Sequence, residues 1–269
     1  MQKQQELKPK SNLSVGVVGA TGYAGQELIR LLHIHPFVQL THVFSRQNSG
    51  KLISEVQPAL SYAGELTYSS FDPENVPEMD CLFLAIPHGQ SHAYMKNLDL
   101  SKTKIIDLSA DFRLKDPKLF KTYYLQDHGS TETIKDFSYG ISEIYRDEIK
   151  SKSGCANPGC YAYSSILGLY PLADKNWVKG SVVIDAKSGV TGAGKSLKTE
   201  NLYCEANEAL SAYSTGYHRH EAEIQSTLDV SVFFSPHLIP MNRGILSTVY
   251  VDNSDNKTQE DRKSTRLNS

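Results

Sequence analysis

The sequence has little of what marks several common classes of protein. Its four cysteines form no Cys-x-x-Cys pair, and no charged-then-apolar signal segment precedes them. A disulfide-stapled secreted fold is therefore excluded, and reduced thiols in the cytoplasm are expected. No apolar run approaches the roughly 20 residues that cross a bilayer, so no membrane partner is expected. Lys and Arg number 28 against 30 Asp and Glu, so the basic excess that drives binding to nucleic-acid phosphates is missing.

What is present is ordinary for a globular protein. The 269 residues are 39% hydrophobic and 22% charged, which suits one large domain or two modest ones and a small-molecule partner. Residues 1–12 are polar without an apolar period, which predicts a disordered leader. Residues 252–269 are polar and charged and are predicted to be a disordered or artefactual tail.

The pattern of residues 13–156 is that of an α/β domain. The apolar run LSVGVV is followed by a glycine-rich turn and by leucines at helical spacing. The further apolar runs VQLTHVFS, DCLFLAIP and KIIDLS alternate with helix-compatible stretches. Strands that alternate with helices predict a parallel sheet. With the glycine motif and the residues after the second strand, both described below, we expect a Rossmann-type NADP-binding domain.

The pattern changes in residues 157–251. An apolar helical stretch follows the turn Asn157-Pro158-Gly159, and then come the strand SVVIDAKSG, a glycine-rich loop, and the strands LDVSVFFSPHLIP and ILSTVYV. This order predicts a second, α+β domain with a mostly antiparallel sheet. That it is the substrate and dimerisation domain is what the family resemblance given below implies.

Glycines at every third position form the strongest local signal: Gly16, Gly19, Gly22 and Gly25 follow the first strand and open a helix. The spacing departs from G-x-G-x-x-G. However, glycine lets the backbone approach a pyrophosphate, and a helix N-terminus supplies amide donors to hold it. A tight strand-to-helix turn without a ligand is the alternative.

The second predicted strand ends at Ser45 and Arg46. NAD-binding domains carry an acidic residue there to hold the ribose hydroxyls. A hydroxyl and a guanidinium suit a 2′-phosphate instead, which favours NADP over NAD. An ordinary solvated Arg46 is the alternative.

Cys160 follows the Asn157-Pro158-Gly159 turn at the start of a predicted helix. A helix N-terminus favours the thiolate, so the sequence predicts a lowered thiol pKa and a nucleophile. A small buried hydrophobe is an equally good interpretation from position alone.

The segment Tyr217-His218-Arg219-His220-Glu221 brings together two imidazoles and a guanidinium. Histidine can act as an acid or base near neutral pH, and arginine can bind a carboxylate or phosphate. A charged surface turn explains the segment equally well. Because no HExxH motif or Cys/His array accompanies it, no metal site is predicted.

A glycine-rich loop follows the predicted strand SVVIDAKSG. Its residues from Gly189 to Ser196 match the P-loop pattern G-x-x-x-x-G-K-S. A Rossmann-type unit already occupies the N-terminal half, and no apolar helical period follows the loop. We therefore interpret it as a substrate or cofactor loop rather than as a triphosphate site.

Two further arginines are candidates for binding anions. Arg113 follows the strand KII, where open α/β sheets place ligands, although a pairing with an aspartate that braces the loop is as compatible with its position. Arg243 lies in the turn Pro240-Met241-Asn242-Arg243-Gly244, and could equally contact no ligand.

Eight segments in order resemble one family: GVVGATGYAGQELIRLL, AIPHG, IIDLSADFRL, YGISEI, ANPGCYA, SGVTGAGK, HRHEAEI and PMNRGI. They run from about Val15 to Gly244 and are similar to the N-acetyl-γ-glutamyl-phosphate reductases, relatives of aspartate-semialdehyde dehydrogenase. The resemblance implies NADPH-dependent reduction of N-acetyl-L-glutamyl 5-phosphate to the semialdehyde and phosphate, in arginine biosynthesis. It also implies a thioester on Cys160 and a cytoplasmic homo-oligomer, a dimer or tetramer.

The resemblance also implies roles for individual residues. His218 is the first choice for the acid/base and His220 its nearest rival, while amides near Cys160 and Asn157 stabilise the oxyanion. The expected substrate-binding residues are Ser109, Arg113, Arg219 and Arg243. The expected cofactor-binding residues are Gly16, Gly19, Thr21, Gly22, Tyr23, Gly25, Ser45, Arg46, Pro87, Ser188, Gly189 and Gly192.

The chain departs from the family in three ways. Family members usually have Thr at the position of Tyr163 and Pro at that of Ala222, and they continue with further strands and a C-terminal helix, so a C-terminally truncated chain is expected. The alternatives are a related reductase of aminoadipyl or aspartyl phosphate and a non-catalytic NADP-binding sensor. A sensor would lack the nucleophile.

Overall fold

The computed structural model describes residues 13–253, 256–261 and 263. The predicted leader, residues 1–12, lies outside the described residues, as does much of the predicted tail. Of that tail, Asp252 ends a strand and residues 259–261 are helical. Within the described residues, no helix is both long and apolar enough to cross a membrane.

The first sheet has seven strands, each paired in parallel with its neighbours, in the order β3-β2-β1-β4-β5-β7-β6. The strands are β1 Leu13–Val18, β2 Val38–Phe44, β3 Tyr68–Ser69, β4 Cys81–Leu84, β5 Lys104–Asp107, β6 Phe137–Tyr139 and β7 Gly154–Ala156. The helices between them are α1 Tyr23–His33, α2 Ile53–Val56, α3 Ser91–Tyr94, α4 Pro117–Tyr124 and α5 Ser142–Ser151. The order β3-β2-β1-β4-β5 is that of dinucleotide-binding folds, so the predicted Rossmann-type sheet is confirmed.

The second sheet has four strands in the order β11-β8-β10-β9. Its elements in chain order are α6 Cys160–Ala173, β8 Lys179–Gly189, α7 Tyr203–Ala206, β9 Ser211–Ala212, α8 Arg219–Leu228, β10 Ser231–Ile239 and β11 Ile245–Asp252. The pairings of β11 with β8 and of β9 with β10 are antiparallel, as expected. The central pairing of β8 with β10 is parallel, so the sheet is mixed. A parallel pair needs a long crossover, which α7, β9 and α8 provide.

Short 3-10 turns complete the described secondary structure, at Arg46–Asn48, Pro58–Ala63, Thr131–Asp136, Val190–Ala193 and Thr199–Asn201.

Each sheet has its own core. Val15 and Val17 of β1 are buried against Ile29 of α1, as expected for a central parallel strand covered by helices. In the second domain, Ile166 of α6 packs against Ile184 of β8 and its neighbours. The chain passes between the two cores in residues 157–159, so the carboxyl ends of the first sheet lie next to the N-terminus of α6.

Candidate active site

Cys160 is the first residue of α6, and Gly159 caps that helix. The turn that carries it is held from two sides. The carbonyl of Asn157 accepts a hydrogen bond of 2.8 Å from Nε of Arg113 in the first domain. The backbone N–H of Gly159 donates to the carboxylate of Glu223 in the second domain at 2.9 Å. The position of the thiol is therefore set by both domains.

The electrostatics of Cys160 differ from the prediction. Cys160 keeps a solvent-accessible edge, yet burial by the surrounding protein raises the pKa of its thiol. The N–H of Tyr161 and the guanidinium of Arg113 favour the thiolate, while Glu223 disfavours it. The predicted lowering of the thiol pKa is therefore wrong for the free protein, because lost hydration outweighs the helix N-terminus. The thiol needs a base to become a nucleophile.

Glu223 is a functional candidate that sequence reasoning missed. Its buried carboxylate accepts hydrogen bonds from Gly159 N–H at 2.9 Å and from Tyr139 Oη at 2.7 Å. Its Oε1 lies 3.1 Å from Nη1 of Arg113 and 3.8 Å from Nε2 of His220. Burial alone would raise the pKa of Glu223, but Arg113, His220 and the hydrogen bonds lower it. The three-residue spacing from His220 was the available signal, since such residues share a helix face.

His218 caps the N-terminus of α8. Its Nδ1 accepts a hydrogen bond of 3.1 Å from the backbone N–H of His220. Its ring centroid lies 5.3 to 5.8 Å from those of Tyr161, Tyr213 and Phe234. Burial lowers the pKa of His218 to about 3. His218 is therefore neutral near pH 7 with its proton on Nε2, because the lone pair of Nδ1 is occupied.

His220 is arranged differently. The ring of His220 lies against the backbone of Gly159, the residue before Cys160. A Cβ added to Gly159 would be 2.3 Å from Nε2 of His220. Nε2 is the nitrogen beside Glu223, and the buried Nδ1 has no hydrogen-bond partner among the described residues. Burial lowers the pKa of His220 to about 4, although Glu223 opposes this change. His220 is thus a neutral imidazole with one uncommitted nitrogen.

The two arginines near the thiol are used differently. Arg113 donates to Glu223 and to the carbonyls of Asn157 and Leu108, and is nearly buried. The guanidinium carbon of Arg219 lies 5.3 Å from the centroid of the Tyr124 ring. Among the described residues, Arg219 has no hydrogen-bond or ion-pair partner, so its N–H donors remain available to a ligand.

These side chains line one cleft of about 330 Å³. The cleft brings together many of the predicted site residues, namely Cys160, His218, His220, Arg219, Arg113, Ser188 and Gly192. It also includes residues that sequence reasoning missed, namely His88, Tyr124, Tyr161, Tyr213, Lys198 and Asn201. In the described part of the chain, no cluster of His, Cys, Asp and Glu could hold a metal ion.

The turn between β1 and α1, which contains Gly19, Gly22 and Gly25 and is called the glycine turn below, has a geometry that suits a bound anion. Gly19 has φ of +76°, and a Cβ there would lie 2.1 Å from the Ala85 carbonyl oxygen. A Cβ on Gly25 would lie 2.4 Å from the Gly19 carbonyl oxygen. Gly22 caps α1 and Tyr23 begins it. These close contacts fit a pyrophosphate held at the helix N-terminus, and they explain why side chains are excluded. Gly16 instead packs inside the sheet, where a Cβ would lie 2.6 Å from Sδ of Met79.

The other predicted cofactor residues border this turn at the carboxyl ends of the strands. Ser45 follows β2, and its Oγ lies 3.4 Å from Oγ1 of Thr21. Arg46 is next in the chain and is exposed. Pro87 lies in the loop after β4. This edge of the sheet is where open α/β folds bind nucleotides.

The glycine-rich loop reaches the same turn from the second domain. Ser188 and Gly189 end β8, and Nζ of Lys195 donates to the Thr21 carbonyl at 3.3 Å. A second cavity of about 150 Å³ lies between this loop and Tyr23. Lys198 and Asn201 line both this cavity and the cysteine cleft, so the two are adjacent. Short 3-10 turns follow the loop instead of a P-loop helix, which supports the interpretation as a cofactor loop.

Two predicted substrate residues lie outside the cleft. Ser109 is 1% exposed, and its hydroxyl bonds to the carboxylate of Asp107 at 2.8 Å. Arg243 is exposed and pairs with Glu27 of α1 at 3.7 Å. The geometry does not support substrate contacts for either residue, because Ser109 is enclosed by its own network and Arg243 faces α1.

Fold and cleft together define a two-domain, dehydrogenase-type protein built around a cysteine at a helix N-terminus. Two family models match the chain: "Semialdehyde dehydrogenase, NAD binding domain" over residues 14–152, and "Semialdehyde dehydrogenase, dimerisation domain" over residues 160–266. Proteins named N-acetyl-gamma-glutamyl-phosphate reductase from Alkaliphilus metalliredigens and Campylobacter jejuni subsp. doylei are 44% and 43% identical, and each match covers 93% of this chain and 74% of the relative. The chain belongs to the N-acetyl-γ-glutamyl-phosphate reductase family of semialdehyde-dehydrogenase-like proteins.

Solved structures show the same fold at low sequence identity. Aspartate semialdehyde dehydrogenase with NADP from Candida albicans aligns with a TM-score of 0.69 at 15% identity, over 95% of this chain and 76% of that one. Aspartate semialdehyde dehydrogenase II from Vibrio cholerae aligns with a TM-score of 0.64 at 15% identity, over 90% and 75% of the two chains.

Proposed function

We propose that the chain reduces N-acetyl-L-glutamyl 5-phosphate to the semialdehyde with release of phosphate, using NADPH. The observation that carries the proposal is the cleft in which Cys160 meets His218, His220 and Arg219 next to the glycine-rich loop. Family membership supplies the substrate class, since the relatives at 43–44% identity carry that enzyme's name.

The first chemical step is acyl transfer to Cys160. The thiol loses its proton, its sulfur attacks the carbonyl carbon of the acyl phosphate, and the bond from that carbon to the phosphate oxygen breaks. Phosphate leaves and a thioester remains on Cys160. The raised thiol pKa means that this step depends on a nearby base rather than on a standing thiolate.

We assign the base to His220 in preference to His218. The lone pair on Nδ1 of His220 is uncommitted, and the Glu223 carboxylate beside Nε2 stabilises the imidazolium that forms. His218 has its Nδ1 occupied by a backbone N–H, so its neutral ring can only donate from Nε2. That donor suits the developing oxyanion, together with amides near Cys160.

The cofactor site is the glycine turn with Ser45, Arg46 and the loop that carries Lys195. The turn fits a pyrophosphate because the space that a Cβ would fill at Gly19 and Gly25 is taken by backbone. Arg46 would hold the 2′-phosphate that distinguishes NADP. A bound NADPH would supply the hydride that reduces the thioester; the carbon–sulfur bond would then break to release the aldehyde, and the proton taken up by His220 would return to the sulfur of Cys160.

We also propose that two copies associate through the outer face of the second sheet. Val183, Phe233 and Tyr250 are 40%, 51% and 56% exposed and lie side by side in register on β8, β10 and β11. Such a patch marks an interface, and the matching model over these strands is named a dimerisation domain. Phe233→Asp should lower the molar mass measured by light scattering.

The unpaired cysteines suit a reducing cytoplasm.

The test of the reaction is NADPH oxidation with N-acetyl-L-glutamyl 5-phosphate by the chain, by Cys160→Ser and by Cys204→Ser. Cys204 is an exposed thiol outside the cleft and serves as the matched control. We expect turnover by the chain and by Cys204→Ser, and none by Cys160→Ser.

Turnover by Cys160→Ser at the parent rate would overturn the assignment of Cys160 as the nucleophile. Faster turnover of aspartyl or aminoadipyl phosphate would overturn the proposed substrate but would leave the proposed acyl-transfer and reduction chemistry intact. NADPH binding without oxidation of any of these substrates would favour a non-catalytic sensor.

A further inference from the structure

Arg219 lines the reactive cleft, and among the described residues it has no hydrogen-bond or ion-pair partner. It is the first residue of α8, between the two histidines. The other cleft arginine, Arg113, is committed to Glu223 and to two backbone carbonyls. Arg219 is therefore the cleft arginine whose guanidinium N–H donors can bind an anionic group of a ligand.

Tyr124 is the residue that fixes the place of this guanidinium. It is the last residue of α4 in the first domain, and its ring lies 5.3 Å from the guanidinium carbon. The ring is itself held by a stacked contact with the buried Phe120, at 4.7 Å between centroids and 16° between planes. The edge of His88 contacts it at 5.9 Å. A fixed ring of one domain thus faces a long, flexible side chain of the other.

We propose that Tyr124 is a positioning residue that holds Arg219 ready to bind an anion of the substrate. A cation over a ring uses the face of the guanidinium and leaves its N–H donors, which lie in the plane, free for a carboxylate or phosphate. The inference deepens the proposed function, because it takes the anion to be the substrate's carboxylate or its acyl phosphate. Both groups are anions with several acceptor oxygens, to which arginine can donate two parallel N–H···O hydrogen bonds.

The experiment measures how well two anions protect Cys160 from alkylation. The chain is treated with iodoacetamide at increasing concentrations of N-acetyl-L-glutamate, whose only anionic groups are carboxylates, or of inorganic phosphate. Alkylation of the Cys160 peptide is followed by mass spectrometry, with the Cys204 peptide as an internal reference. The half-protecting concentration of each anion is the readout, and it does not require turnover.

The variants are Tyr124→Leu, Tyr124→Phe and Arg219→Met, with Tyr123→Leu as the matched control. Tyr123 is on the same helix and packs in the same cluster around Phe120, but it does not line the cleft. Tyr124→Leu should raise the half-protecting concentration of the bound anion about tenfold. Tyr124→Phe keeps the ring and should stay within about twofold of the parent.

The anion whose protection weakens identifies the group that Arg219 binds. Arg219→Met should weaken protection by the same anion, and Tyr124→Leu added to it should cause little further loss. Equal loss in Tyr123→Leu, no loss in Tyr124→Leu, or no protection of the parent chain by either anion would each overturn the proposal.

Turnover separates this inference from the proposed function. If the chain oxidises NADPH, Tyr124→Leu should raise KM for the acyl phosphate with a much smaller change in kcat and an unchanged Kd for NADPH. An unchanged KM would overturn the inference alone. Protection that depends on Tyr124 in a chain that oxidises no NADPH would overturn the proposed function alone.

Discussion

The backbone N–H of Gly159 donates to the carboxylate of Glu223 at 2.9 Å. This bond ties the residue before Cys160 to α8, the helix that contains His220 and is capped by His218. Because the same carboxylate also contacts Arg113 and His220, one buried charge influences the Cys160 thiol, the base that we propose for it and the turn between them.

Glu223→Gln should separate two effects of that charge. Glu223 raises the pKa of the Cys160 thiol, so its neutral replacement should speed alkylation of Cys160 at a fixed pH. Turnover should fall about 100-fold, because the imidazolium of His220 loses its counter-charge. Both rates are measured on one preparation. Glu221→Gln, a change on the same helix but outside the cleft, is the control, and slower alkylation in Glu223→Gln would contradict this account.

The histidine assignment predicts unequal losses. His220→Asn should reduce the rate of acyl transfer by about 100-fold or more, since the base is removed. His218→Gln keeps a side-chain N–H donor at that position and should lose less. Phosphate release in a single turnover measures this step directly. The reverse ranking would make His218 the base.

Arg46 should discriminate between the two nicotinamide cofactors. Removing its guanidinium in Arg46→Ser should raise KM for NADPH about tenfold, because a charge-assisted contact to the 2′-phosphate is lost. KM for NADH should change little. Arg146→Ser alters an exposed arginine of α5, away from the glycine turn, and should affect neither cofactor. A parallel rise in both KM values would mean that Arg46 does not contact the 2′-phosphate.

Two glycines in helices should respond oppositely to alanine. A Cβ at Gly25 would lie 2.4 Å from the Gly19 carbonyl oxygen and 2.6 Å from Cα of Ala20. Gly25→Ala should therefore lower the free energy of unfolding by about 2 kcal/mol or more. Gly168 in α6 has open space around it, so Gly168→Ala should raise that free energy by about 0.5–1 kcal/mol. Urea denaturation measures both changes, and equal signs would contradict the packing argument.

Asp107 should make a visible contribution to the pH dependence of stability. Burial raises its pKa from 3.8 to about 6. The folded state therefore binds a proton more tightly than the unfolded state does, and this group's contribution to stability falls as pH rises from about 4 to 6. In Asp107→Asn that fall should vanish, so the free energy of unfolding of the variant relative to the parent should rise by about 2 kcal/mol across the window. A constant difference between the two proteins would show that Asp107 keeps an ordinary pKa.

The sequence was sufficient for the parts of the fold that rest on local pattern. Alternating apolar runs and the glycine turn predicted the parallel sheet, and the turn at Asn157 predicted a helix beginning at Cys160. The parallel pairing of β8 with β10 was not predicted, because it depends on a crossover through α7, β9 and α8 rather than on either strand's own pattern.

The site was harder to predict because its chemistry depends on distant partners. Glu223 bonds to Tyr139, 84 positions earlier, and pairs with Arg113, 110 positions earlier. Those contacts, with two backbone carbonyls, hold the Arg113 side chain in the cleft, and its role in substrate binding stays a prediction. The predicted direction of the pKa shift of the Cys160 thiol was wrong for a similar reason. The desolvation that raises this pKa comes from the assembled cleft.

The bond from Lys195 to the Thr21 carbonyl joins positions that are 174 residues apart. A ribosome adds about 5–20 residues each second, so the glycine turn emerges on the order of ten seconds or more before the lysine that contacts it. The close backbone contacts of Gly19 and Gly25 lie within the first domain, so the glycine turn can take its shape before Lys195 is synthesised.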